Sequence, residues 1–72
     1  MKSTYKNCEI EVYRGEGMDG IERVYVSAVD RGNGFVVAEY WRDDRLTVYK
    51  CLAEVKTVVD EYSDNKEEWL AE

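Results

Sequence analysis

Seventy-two residues make one domain, and a chain this short buries a smaller share of its surface than a long one. Histidine is absent, which removes histidine-based triads and imidazole general bases. Sixteen acidic residues against ten basic leave a net charge of −6, the wrong sign for a protein that binds duplexes by neutralising phosphates.

The N-terminal MKSTYKNCEI has no apolar run of the kind a signal peptide needs, and nothing in the chain approaches the apolar length of a membrane span. A cytoplasmic protein is expected, with Cys8 and Cys51 reduced and behaving as small buried hydrophobes. A Cys8–Cys51 bridge is the alternative, and its geometry cannot be judged from spacing.

Residues 5–13, 22–30 and 35–41 alternate with period two and are read as three antiparallel strands. One face carries Cys8, Ile10, Val12, Val24, Val26, Ala28, Val36, Ala38 and Tyr40. The opposite face carries Glu9, Glu11 and Glu39, but also Tyr13, Tyr25, Val29, Phe35, Val37 and Trp41. Between the first two strands, RGEGMDGI at 14–21 is expected to be a long mobile loop. The segment DRGNG at 30–34 is a short hairpin turn in which Asn33-Gly34 suits left-handed backbone. RDDR at 42–45 is a polar turn.

Beyond it, Leu52, Val55, Val58, Val59 and Tyr62 recur at the spacing of one helical face. Two starts are open. Thr47 caps a helix beginning at Val48, or residues 46–49 form a short fourth strand and the helix begins near Leu52. The β-propensity of Leu-Thr-Val-Tyr favours the later start. The end is open as well: Ser63-Asp64-Asn65 stops the helix and a short one follows, or one helix runs to about residue 70 and carries Trp69 over the sheet edge.

Gly15-Glu16-Gly17-Met18-Asp19-Gly20 matches G-x-G-x-x-G letter for letter. That motif works by aiming a helix N-terminus at a pyrophosphate. Here a strand follows, and Glu16 and Asp19 would repel phosphate, so a hairpin loop is the reading. Carboxylate neighbours such as Asp43-Asp44 point to different sides and do not face each other across a cleft. Calcium-loop spacing is missing. No enzyme activity, cofactor, metal site or small-molecule substrate is expected.

Two surfaces remain as candidate sites. The first is the aromatic sheet face of Tyr13, Tyr25, Val29, Phe35, Val37 and Trp41. A single helix covers only one face of a sheet, and an uncovered apolar patch on a small domain marks a contact site. Tyr, Trp and Arg are enriched at the energetic centres of protein interfaces. The second is the acidic C-terminal stretch of Asp60, Glu61, Asp64, Glu67 and Glu68, read as a solvated helix face or as a surface that imitates nucleic acid.

The run Leu52-Ala53-Glu54-Val55-Lys56-Thr57-Val58-Val59-Asp60-Glu61-Tyr62 after three strands resembles short bacterial and phage-borne proteins in which a β-meander precedes one helix. The likeness covers mainly residues 22–62, names no family and transfers no functional residue. It implies a mobile-element accessory role.

The expected fold is therefore α+β: a meander of three strands, or four if 46–49 joins, with one C-terminal helix across one face and residues 1–72 as a single β-β-β-α domain. The expected function is non-catalytic protein binding, with the chain itself among its partners. An acidic inhibitor occupying a nucleic-acid site on a host protein is the alternative. A single-strand nucleic-acid binder, with Arg14, Arg23, Arg31, Arg42 and Arg45 meeting phosphates beside stacked aromatics, comes third.

Overall fold

The computed structural model describes residues 1–43 and 47–71. Strands β1 (Lys2–Tyr5), β2 (Cys8–Glu16), β3 (Glu22–Asp30) and β4 (Val36–Asp43) form one antiparallel sheet in the order β1-β2-β3-β4. Helix α1 (Val48–Asp64) lies across one face against β2, β3 and β4, and a short α2 (Lys66–Leu70) follows. Among the described residues no helix is long and apolar enough to cross a membrane.

The first expected strand is two. Lys6 and Asn7 both sit at positive φ, 48° and 65°, the backbone that a two-residue hairpin requires because its twist matches the strands on either side. The chain reverses there, and Lys2–Tyr5 pairs with Cys8–Glu11. The fourth strand thus lies at the N-terminus. Residues 47–49 do not supply it, and Leu46 lies outside the described residues, as do 44 and 45 of the expected polar turn.

The expected mobile loop at 14–21 is also corrected. Pairing between β2 and β3 continues to Glu16 opposite Glu22, leaving only Gly17–Ile21 as connection. Gly17 N–H donates to the Ile21 carbonyl at 3.1 Å. The Asp19 carboxylate accepts from Ile21 N–H at 3.0 Å and from both terminal nitrogens of Arg23 at 3.2 and 2.9 Å.

Strand β4 contains a bulge. Ala28 faces Ala38 but Val29 faces Val36, so Val37 has no counterpart. Side-chain direction alternates strictly along a strand, and one extra residue inverts it. Val37 consequently turns to the helix side and is 7% exposed, while Val36 lies half in solvent at 50%. Phe35 also packs on the core, its ring stacked on that of Tyr62 at 5.5 Å and 8°. Val36 was expected inside and Phe35 and Val37 outside; the bulge exchanges them. Its origin is a mismatch of registers. The turn fixes Phe35 by the Asp30 N–H to Phe35 carbonyl bond of 2.9 Å, the sheet fixes Ala38, and Val37 takes up the difference.

The helix begins at Val48. Thr47 is its cap, with Oγ1 accepting the Lys50 N–H at 3.1 Å, which satisfies one of the orphan donors of the first turn. Val48 extends the apolar stripe, and that packing overrides the β-propensity of the segment. Cys51, Val55, Val59 and Tyr62 are buried against Cys8, Ile10, Val12, Val24, Val26 and Ala28. Asn65 ends α1: its N–H reaches the Glu61 and Tyr62 carbonyls and its side-chain amide the Glu61 carbonyl. The helix is thus broken before residue 70. Across the break Trp69 packs edge-on to the Tyr62 ring at 5.6 Å.

Candidate functional site

The candidate surface is the sheet face opposite α1. Strand pairing brings its side chains into rungs. Tyr13, Tyr25 and Trp41 sit opposite one another on β2, β3 and β4 and form a continuous aromatic ladder, with centroids 5.1 Å apart for Tyr13–Tyr25 and 5.0 Å for Tyr25–Trp41. Such tilted and edge-on contacts are the arrangement that the ring quadrupoles favour. The outer members are open to solvent, Tyr13 at 45% and Trp41 at 52%.

The next rung is Glu11, Ser27 and Glu39, and the one beyond is Glu9, Val29 and Val36. Ser27 is small and almost buried between two glutamates. The result is a shallow depression lined by Glu9, Glu11, Ser27 and Val29. Lys2, opposite Glu11 on β1, reaches that carboxylate at 3.4 Å. Burial, and after it the charge of Glu39, pushes the Tyr25 hydroxyl above its ordinary value.

Of the six residues expected on this face, Tyr13, Tyr25, Val29 and Trp41 are there and Phe35 and Val37 are not. Val36 takes their place, together with the depression at Ser27. Neither could be seen without the register and the bulge.

The acidic stretch divides. Asp60 accepts from the Tyr5 hydroxyl at 2.7 Å and pairs with Lys6 at 2.7 Å, and these contacts, Lys6 first, hold its carboxyl below the usual range. It belongs to the clamp between the β1–β2 turn and α1. Glu61, Asp64, Glu67 and Glu68 are exposed. Lys66, the one cation among them in sequence, is turned away to Asp30 at 3.1 Å.

Asp30 itself was unmarked in the sequence beyond its turn propensity. It is 2% exposed, yet its carboxylate is satisfied: the Tyr62 hydroxyl donates at 2.5 Å, Gly32 N–H at 2.8 Å, and Lys66 stands beside it. In that order these partners lower its pKa to about 2.

The arginines also face carboxylates. Arg23 is bound to Asp19, Arg14 lies 3.7 Å from Glu22, and Arg42 donates through Nε to Glu54 at 2.8 Å. Arg45 lies outside the described residues. Cys8 and Cys51 are free and fully buried, and burial raises both thiols; neither has the exposed, electropositive setting of a reactive cysteine. No protein-family model, curated protein or solved structure matches the chain.

Proposed function

We propose that the chain is a small non-catalytic protein-binding module whose contact surface is the helix-free face of its sheet. The observation that carries this reading is the Tyr13–Tyr25–Trp41 ladder, stacked across three strands on the side away from α1. A rigid aromatic row loses little side-chain freedom on binding and supplies the residue types that dominate interface energetics. Pairing of Arg14, Arg23 and Arg42 with carboxylates, and three glutamates on the face, argue against the single-strand nucleic-acid alternative.

The test is affinity capture with wild type and with the Tyr13→Ala/Trp41→Ala double variant, both checked for native circular dichroism. Partners retained by wild type and lost by the variant support the reading. The same partners on both would overturn it.

Self-association is a second reading, and β4 is what favours it. Its outer side takes no strand among the described residues, and an open edge can accept a strand from another copy. Light scattering over a concentration series tests it, and a monomer throughout would sink it.

A further inference from the structure

The same face has a charge pattern that selects what it binds, and the inference rests on the reading of that face as a contact surface. Beside the aromatic ladder lie Glu9, Glu11 and Glu39, with the depression at Ser27 opening between two rungs. Among the described residues the cations on this side are Lys2 and Arg23, and each already faces a carboxylate, Glu11 and Asp19 respectively. The face is therefore aromatic and anionic at once. An aromatic ring flanked by carboxylates is the surface that attracts an ammonium or guanidinium group, by its quadrupole and by direct charge.

We infer that this face takes a basic segment of a partner protein in extended conformation. A Lys or Arg side chain enters the depression lined by Glu9, Glu11, Ser27 and Val29, and an apolar residue nearby lies on Tyr13, Tyr25 and Trp41. Spacing supports an extended segment. Successive rungs are about 7 Å apart along a strand, which equals the separation of residues i and i+2 in a second strand. A partner that alternates basic and apolar positions on one side meets the glutamate and aromatic rungs in turn. A second copy of this chain fits the face poorly, since its own cations on that side are engaged and its glutamates would meet glutamates. Nucleic acid would set phosphates against the same three carboxylates.

The experiment is a titration of the isotope-labelled protein, followed by amide chemical shifts, with three short extended peptides: lysine–valine, serine–valine and glutamate–valine. The lysine peptide is expected to shift Glu9–Tyr13, Tyr25–Val29 and Glu39–Trp41, and to bind less tightly as salt rises. The Glu9→Gln/Glu11→Gln/Glu39→Gln variant is expected to lose at least about fivefold in affinity for it, the scale of charge-assisted surface contacts. Equal binding of the serine peptide at these amides would overturn the charge inference and leave the contact surface standing. An absence of shifts on this face with the lysine peptide would overturn the inference. Loss of the contact reading is judged separately, by the capture experiment with Tyr13→Ala/Trp41→Ala. Oligothymidylate or a second copy shifting the same amides in place of the lysine peptide would also overturn it.

Discussion

The Tyr62 hydroxyl donates to Asp30 Oδ2 at 2.5 Å, joining the last turn of α1 to the end of β3 across 32 residues of sequence. Around that bond the Phe35 ring stacks on Tyr62, Trp69 closes its edge, and Lys66 brings α2 to the same carboxylate. One buried charge thereby anchors the hairpin turn, the helix end and α2.

Acid should undo this anchor. The folded-state pKa of Asp30 lies at about 2, below the ordinary carboxylate value near 3.9. A depressed carboxylate contributes stability that is fully present above the unfolded value and is lost as pH falls toward the folded one. Asp19 and Asp60 are lowered as well and act in the same direction. Urea midpoints measured from pH 5 down to pH 2 should fall steadily, and Asp30→Asn should be less stable at neutral pH and show a flatter decline. A variant as steep as wild type would remove Asp30 from the account.

The bulge makes a prediction opposite to that of plain alternation. Val37→Lys puts an unpaired cation into the core and should cost several kcal/mol or prevent folding, since a buried charge without a partner is expensive. Val36→Lys lies on the open face and should change stability by no more than about 0.5 kcal/mol. Thermal melts of the two variants side by side check it. If Val36→Lys is the damaging one, β4 follows strict alternation and the bulge is wrong.

Much of the core could be read from the chain because period-two patterning needs nothing outside a strand. Cys8, Ile10, Val12, Val24, Val26 and Ala28 are all fully buried on the expected face, and the α1 stripe meets them. What could not be read depends on agreement between distant parts. The Lys6-Asn7 turn lacks the glycine that usually marks such a reversal. The bulge follows from a conflict of two registers. Asp30 looks like any turn aspartate until Tyr62 arrives from the helix. The candidate surface was partly legible for the same reason: its aromatic ladder follows alternation, and the depression at Ser27 needs three strands in register.

The Lys6-Asn7 turn should answer to backbone preference. Asn7, at φ 65°, tolerates this region better than most residues, and a β-branched side chain tolerates it poorly. Asn7→Gly should hold or raise stability, while Asn7→Val should lose roughly 1–2 kcal/mol, the order of the left-handed penalty. Chemical denaturation resolves the difference, and equal midpoints would count against the turn described.

At the other end of the fold, Thr47→Ala should lose about 1 kcal/mol through the cap bond to Lys50 N–H. Thr47→Ser, which keeps the hydroxyl, should restore most of it. Stability unaffected by Thr47→Ala would favour the later helix start near Leu52.

The Val37 bulge also bears on how far an assembly could grow. Regular pairing on β4 is confined to the stretch after the bulge, from Ala38 onward, and the opposite border of the sheet is the four-residue β1. A bent, shortened rim beside a stub offers one docking position and no matching second one. Strand addition at β4 would then stop at a closed pair, and the protein would stay dispersed at concentrations where a flat two-edged sheet polymerises into fibres.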